Sequence, residues 1–328
     1  MKRVFLPLFL FICTFGSGLT QSILPELNEL ERGAILNPKK YSTAQYEEIT
    51  SSLKKIDYKT RVVTYNLLFD LFDENLALEN RWPQRLPRIK QLIDALQPDI
   101  LCIQELQSHQ VKQLIEKIGK EFEFFLDKNC LKTSGLFDFD GIFYRRERFT
   151  LLEGRSWKIS HLKKDTLVTM AQFLDLKTNK KIRVFNAHFP FSNADEREKT
   201  AIEIAALIKP YAENEAVILG GDFNTFENRP DLEKLPFLDG DRIECLLSRG
   251  KIENSLKKAI LGHLGPISSF TNTVEGKAAF EGLGTPGIIL DHLFVSSTIT
   301  VLLHGIESAL VDNHYPSDHL PVLIDILY

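Results

Sequence analysis

The sequence predicts one mixed α/β domain running from about residue 57 to the C-terminus. Three observations predict it. Short apolar runs rich in Val, Ile, Leu and Phe alternate with helix-spaced apolar patterns and turn clusters. No internal repeat, low-complexity segment or obvious linker interrupts that alternation. The chain has 328 residues, 44% hydrophobic and 26% charged, which suits a globular protein and excludes a disordered or collagen-like one.

The elements follow in order. Arg61–Tyr65 reads as the first strand of the domain. Leu86, Ile89, Leu92, Ile93 and Leu96 recur at helical spacing, and Pro98 stops that helix. Ile100–Ile103 is a buried strand, and Val111, Leu114, Ile115 and Ile118 mark a second helix. Gly141–Tyr144, Thr166–Leu174 and Lys181–Ala187 read as strands. Ala194–Lys209 predicts a helix closed by Pro210. Further strands are expected at Ala216–Leu219, Ile288–Val295 and Leu320–Leu327. Periodicity alone does not separate this pattern from a doubly wound sheet.

The segment before the domain has a different character. Lys2 and Arg3 precede the apolar run Val4–Phe15, and Gly16-Ser17-Gly18-Leu19-Thr20 follows. A charged start, a short apolar middle and a small-residue exit predict a signal peptide over residues 1–20. The run is shorter than the ~20 apolar residues a membrane-spanning helix needs. A secreted or periplasmic protein is the expectation. Residues 21–56 read as a polar leader, with short helices around Tyr46–Lys55.

Charge and cysteine usage limit the possibilities. The formal net charge is −4, so no global basic field gathers nucleic acid, though a local basic groove is compatible with that balance. Lysine doublets such as Lys163-Lys164 and Lys257-Lys258 are read as solvated surface. Beyond the signal, Cys102, Cys130 and Cys245 allow one disulfide at most. Cys102 lies in the run Asp99–Ile103 and reads as core. There is no Cys-x-x-Cys pair, so a thiolate zinc site is excluded.

The informative feature is a repeated placement of polar residues at strand ends. Val62–Tyr65 leads to Asn66, and Ile100–Gln104 leads to Glu105. Val184–Ala187 leads to His188, and Val217–Gly221 leads to Asp222 and Asn224. Ile288–Leu290 leads to Asp291, and Tyr315–Ser317 leads to Asp318 and His319. Ligand-binding groups gather where strands run out against a rigid sheet. Singly, each has a structural explanation: a turn at Gly220–Asn224, a capped strand start at Pro316–His319, a surface Glu105, a structural His188. Six such placements together exceed what turn chemistry explains.

Two other patterns carry no site. Gly282-Leu283-Gly284-Thr285-Pro286-Gly287 matches G-x-G-x-x-G, but it precedes a strand instead of opening a helix, and Pro286 lacks a backbone donor. It reads as a loop. The chain has neither a G-x-S-x-G elbow nor a G-x-x-x-x-G-K-[ST] phosphate loop.

The ordered set Thr64-Tyr65-Asn66, Pro98–Glu105, Asn186-Ala187-His188, Gly221-Asp222-Phe223-Asn224, Leu290-Asp291-His292 and Ser317-Asp318-His319 resembles the endonuclease/exonuclease/phosphatase family. Asp140–Arg145 looks like that family's central strand. The resemblance implies an α+β fold: a four-layer α/β/β/α sandwich of two mixed sheets face to face, with helices outside and the site at one end. Some members carry a second acidic ligand two residues after the first Asn; Leu68 stands there in this chain.

The resemblance also implies the chemistry. It puts Glu105 on a Mg²⁺ or Mn²⁺ ion, with Asn66 and Asp318 alongside. Asp222 would deprotonate the attacking water, and Asn224 would hold that water or a phosphate oxygen. His319, oriented by Asp291, would contact or protonate phosphate oxygens, with His188 as a second acid or phosphate ligand. The expected substrate is a phosphodiester: nucleic acid first, then a phospholipid head group or an inositol phosphate. A non-catalytic binding protein is the alternative from another class. A monomer is expected, with no stable protein partner. Specificity is assigned to the loops after His188 and from Gly262 to Gly287, where Phe189, Phe191 and Phe270 are left between stacking, lipid insertion and core packing.

Overall fold

Val62 and Val63 face opposite ways, and the layering of the molecule follows from that alternation. Val62 joins a core between two sheets, while Val63 joins a second core beneath helices. Leu101 and Cys102, and Phe185 and Val184, divide in the same manner. Strands apolar on both faces need cover on both sides, which four layers provide.

The computed structural model describes residues 43–127, 139–162, 166–191, 193–225, 239–275 and 288–328. The expected signal peptide, residues 21–42 of the leader, Cys130, the Lys163-Lys164 pair and the Gly282–Gly287 loop lie outside these residues. The leader ends in helix α1 (Thr43–Lys54). There follow β1 (Thr60–Asn66), α2 (Trp82–Leu96), β2 (Ile100–Gln104), α3 (Ser108–Ile118), β3 (Phe122–Phe125) and β4 (Ile142–Arg145). Next come β5 (Phe149–Lys158), β6 (Leu167–Asp175), β7 (Lys180–His188), α4 (Ala194–Ala212), β8 (Ala216–Asp222), α5 (Gly240–Ser248), β9 (Ile252–Asn254) and α6 (Ser255–Lys258). β10 (His263–Leu264), β11 (Asp291–Ser296), β12 (Thr300–Ile306) and β13 (Val322–Leu327) complete the described elements.

Seven strands form one mixed sheet in the order β10-β12-β13-β1-β2-β4-β3, and six form another in the order β5-β6-β7-β8-β11-β9. Between the sheets lie Val62, Cys102, Phe173, Val184, Ile218 and Leu293. Helices α2 and α3 cover the first sheet through Leu86, Ile89, Ile93, Val111 and Leu114. Helices α4 and α5 cover the second through Ile204, Ile208, Ile243 and Leu246. This is the expected α/β/β/α sandwich.

Two expectations need correction. Helix α4 does not close at Pro210 but runs on to Ala212. A proline so near the C-terminal end removes one ladder bond, and Ala212 is buried in the helix–sheet core. The strand expected from Ile288 starts at Asp291, because Ile288 N–H donates to Ser268 Oγ (3.0 Å) instead of to a ladder partner. Strands β3, β5, β9, β10 and β12 were not legible as strands. β5 is the clearest case: it is a sheet edge, mostly half-buried or exposed, and its FTLLEGRSWK sequence has no clean alternation.

Candidate active site

Three strand ends of the second sheet present one row of side chains. His188 on β7 pairs in register with Asp222 on β8, and Asp222 pairs with Asp291 on β11. Across the sandwich, Asn66 on β1 is the register partner of Gln104 on β2, and Glu105 follows. The row can form because Gly221 precedes Asp222: a Cβ there would come within 1.8 Å of Ala187 O. On the inner face a Cβ at Gly220 would press on Leu293 Cδ2 at 2.9 Å, a milder constraint.

Beyond the strand ends the backbone turns through left-handed residues: Leu68 (φ 59°), Glu105 (φ 58°) and Asn224 (φ 47°). For a non-glycine residue this conformation costs on the order of 1–3 kcal/mol, so surrounding bonds must hold it. They do. Leu68 N–H donates to Asn66 Oδ1 (3.0 Å), and Asn224 N–H donates to Asp222 Oδ1 (2.8 Å). Fully buried Arg85 on α2 donates to Leu67 O (2.7 Å), Leu68 O (2.9 Å) and Pro316 O (3.2 Å). It thereby ties the loop after Asn66 to the segment that delivers Asp318 and His319.

Asp222 Oδ2 is the hub. It accepts from Asn66 Nδ2 at 3.0 Å and lies 3.6 Å from His188 Nε2 and 3.7 Å from His319 Nε2. His319 Nδ1 contacts Asp291 Oδ2 at 2.8 Å. His188 Nε2 is 3.9 Å from Glu105 Oε1 and 3.1 Å from Asn224 Nδ2, and the same amide nitrogen donates to Phe189 O (3.0 Å). Ser317 Oγ donates to Asn66 O (2.7 Å), and Thr271 N and Oγ1 both donate to Asp318 O (2.8 Å each). All eight residues named from the sequence gather at one end of the sandwich. Asn66, expected beside the metal, spends its amide nitrogen on Asp222.

The electrostatics follow from burial among like charges. Burial pushes Glu105 up to about 7, with Asp318 adding to the rise and His188 and His319 opposing it. Burial raises Asp318 as well, against His319 and Arg85. For His319 burial works downward, but the Asp291 and Asp222 carboxylates outweigh it and carry the imidazole up to about 10. Two groups, Glu105–His188–Asp222 and Asp222–Asp291–His319, hold ligand atoms within 4.8 Å of one another. The oxygen-rich side of this set fits a hard divalent cation, because a carboxylate held near 7 by burial becomes fully anionic only beside positive charge.

The motifs missed the supports. Gln104 Nε2 donates to Asn186 Oδ1 (2.7 Å), and Asn186 Nδ2 donates to both Ile103 O and Gly141 O (2.8 Å each). This buried amide pair joins the two sheets directly beneath Glu105 and His188. Both residues stood inside quoted motifs without a role. Arg85 and Ser269, whose Oγ accepts from Leu290 N and Asp291 N (2.9 and 3.0 Å), gave no signal.

A set of buried and half-buried carboxylates and imidazoles at the end of a two-sheet sandwich defines a phosphoesterase class of site. The chain matches the sequence model of the Endonuclease/Exonuclease/phosphatase family over residues 63–319 and belongs to that family, whose members hydrolyse phosphoester bonds. It is 26% identical over 203 residues to Protein angel of Drosophila melanogaster, covering 55% of this chain and 56% of that one. The chain thus spans about half the length of that relative. Among solved structures, the mannosyl-6-phosphatase of Bacteroides thetaiotaomicron superposes with a TM-score of 0.66 at 21% identity, covering 82% of this chain and 100% of the other. D. rerio TDP2 complexed with a single-strand DNA product superposes at 0.60 and 18% identity, covering 83% and 100%. At these identities the two structures speak for the fold alone.

Proposed function

We propose that this chain is an exported, divalent-metal-dependent phosphodiester hydrolase acting on a nucleic-acid-type substrate. The observation that carries the reading is the convergence on Asp222 Oδ2 of Asn66 Nδ2 and two imidazoles, one of them backed by a buried carboxylate. Such a site sets a proton acceptor beside donors that can face a phosphate, with 3.0–3.7 Å between them.

Glu105, with Asp318 and Asn66 alongside, would hold Mg²⁺ or Mn²⁺, which when bound neutralises charge on a phosphate oxygen. Asp222 takes the proton of the attacking water. Its other oxygen is occupied by Asn224 N–H, which fixes the carboxylate plane. His319, kept protonated by Asp291 and Asp222, donates from Nε2 to a phosphate oxygen as charge builds there. His188 flanks the same space, with its Nε2 beside the Asn224 amide. Lys2-Arg3 and the Val4–Phe15 run support export. The same fold serves a mannosyl-6-phosphatase and a protein that holds a single-strand DNA product, so the substrate is to be read from this chain's own walls.

The test is a substrate panel of plasmid DNA, RNA, sphingomyelin and inositol phosphates, with and without EDTA, alongside folded Asp222→Ala. Nucleic-acid turnover that EDTA and the substitution each abolish is the expected result. Full activity in chelator would sink the metal reading, and a folded Asp222→Ala enzyme at normal rate would sink the site.

A further inference from the structure

Of the three phenylalanines singled out near the site, the structure separates Phe189 from the others. Phe189 is 1% exposed and packs on Phe223 in the helix–sheet core, so its role is packing. Phe270 belongs to none of the three apolar cores. It is half-buried, and its ring stands edge-on to the His319 imidazole with 5.0 Å between centroids.

The backbone around Phe270 is fixed from both sides. Phe270 forms an antiparallel bridge with His319. Thr271 N–H donates to Asp318 O (2.8 Å), Leu320 N–H to Ser269 O (2.6 Å), and Ser269 N–H to Ile288 O (2.9 Å). Residues 268–271 are therefore stitched between the segment leading to Asp291 and the segment carrying Asp318 and His319. The ring's position is set before any ligand arrives, which lowers the ordering cost of using it.

The hydroxyls of Ser268, Ser269 and Thr271 are engaged within the protein. Ser268 Oγ donates toward Phe270 O (2.9 Å) and Ile288 O (3.1 Å). Ser269 Oγ accepts from Leu290 and Asp291 N–H, and Thr271 Oγ1 donates toward Thr273 O (2.7 Å) and Asp318 O. Beside the half-exposed phenyl, the hydroxyls of Ser268, Ser269 and Thr271 are thus already engaged. That is a poor surface for the hydroxyls of an inositol or a sugar, and a suitable one for a planar ring one sugar away from the phosphate.

We infer that Phe270 is the stacking platform for a nucleobase of the substrate, so that this site selects phosphoesters of nucleosides over those of sugars, inositol or lipid. The inference rests on the phosphoesterase reading above and adds the recognition element to it. Base–aromatic stacking contributes about 1–3 kcal/mol, or roughly 5–150-fold in affinity.

Calorimetry in Mg²⁺ with thymidine 5′-monophosphate, ribose 5-phosphate and phosphocholine tests it. These share a phosphate and differ in what is attached. The wild-type protein should bind the nucleotide at least several-fold tighter than ribose 5-phosphate. Phe270→Ala should lose that preference through the nucleotide alone, and Phe270→Trp should restore it. Phe270→Leu fills the space without a π face and should behave like the alanine variant, which keeps the test valid if alanine unfolds the segment. Equal weakening of nucleotide and ribose 5-phosphate would make Phe270 a mere prop for His319 and overturn the inference. So would a preference for phosphocholine that depends on Phe270, or a nucleotide preference that follows Phe191→Ala instead. A wild-type protein that turns over phosphoesters with no base preference refutes this inference only. One that neither binds these ligands nor hydrolyses any member of the substrate panel refutes the hydrolase reading as well.

Discussion

Asp222 and Asp291 are register partners at the open end of the β8–β11 ladder, and one imidazole lies across them. His319 is held at Nδ1 by Asp291 (2.8 Å), while its Nε2 stands 3.7 Å from Asp222. Burial disfavours the charged ring, but two carboxylates on opposite edges outweigh it and bring it up to about 10. Burial in turn pushes Asp291 up to about 6, with the imidazolium working against that rise. Near neutral pH the pair stands ionised, with its N–H aimed where a phosphate oxygen would sit.

The first prediction concerns that pair. Asp291→Asn removes the charge that does most to raise His319. The alkaline limb of the kcat profile should move to lower pH by a unit or more. At pH 7.5, kcat should fall about 10²–10⁴-fold, the range for a lost acid–base contribution. A profile unchanged in its alkaline limb would show that His319 is not the group that titrates there.

The second prediction concerns Glu105. Its carboxyl is raised to about 7, so protons compete with the metal below that pH. Activity at limiting Mg²⁺ should therefore fall as pH drops through about 7, and added Mg²⁺ should move that limb to lower pH. Glu105→Gln should need much more Mg²⁺ for half-maximal rate and should lose the metal-dependent limb. The measurement is kcat against pH at several metal concentrations. A limb indifferent to metal would place the titrating group elsewhere.

Much of this was legible in the sequence because strand ends mark themselves. Asn66, Glu105, His188, Asp222 and Asp291 each follow an apolar run, and Asp318-His319 precede one, so one-dimensional order carries the site. The supports left no such mark. Arg85 sits in an amphipathic helix where an arginine ordinarily faces water, yet it is fully buried and clamps two loops. Ser269 and Phe270 act through a stretch whose ladder partners, Ile288 and His319, lie far along the chain. Edge strands β5 and β10 escaped because a half-exposed edge does not need the apolar alternation that identifies a strand. The face-to-face pairing of the sheets came from family resemblance, since periodicity is the same in a doubly wound sheet.

The third prediction tests the amide pair beneath the site. Asn186→Leu keeps the volume but leaves Ile103 O and one N–H of Gln104 Nε2 unpaired in a dry interior, while Gly141 O keeps the Ile103 N–H (3.1 Å) and Gln104 Nε2 keeps Thr64 Oγ1 (3.1 Å). Each buried unpaired group costs about 1–3 kcal/mol, so with two such groups a loss of about 2–4 kcal/mol is expected. Urea unfolding should show a lower midpoint with an unchanged slope. A midpoint within error of wild type would mean that the inter-sheet contact contributes nothing.

The last prediction concerns acid stability and comes from a part of the molecule outside the catalytic row. His263 and His304 are register partners at the edge of the first sheet, with their Nδ1 atoms 2.8 Å apart. His263 Nε2 faces Pro266 O at 2.9 Å, so Nε2 carries the proton and Nδ1 must accept from His304 Nδ1–H. Only one proton can occupy the Nδ1–Nδ1 contact, so gaining another breaks it. Burial lowers both imidazoles, and for His304 the positive charge that His263 or His292 would carry lowers it further. The folded state thus takes up these protons at lower pH than the unfolded chain, whose histidines titrate near about 6.5. Stability from the pair is fully present above that pH and is lost as pH falls through it, by up to about 1.4 kcal/mol per pH unit for each histidine. Raised Glu105, Asp291 and Asp318 act in the opposite sense, because a carboxyl that holds its proton more tightly when folded stabilises the fold in acid. The net acid loss between pH 7.5 and 5 should therefore shrink, or reverse, in His304→Gln. That variant retains an N–H for His263 Nδ1 and has no proton to gain. Urea midpoints of both proteins at the two pH values decide it: the same pH dependence in wild type and variant would remove the pair from the account of acid stability.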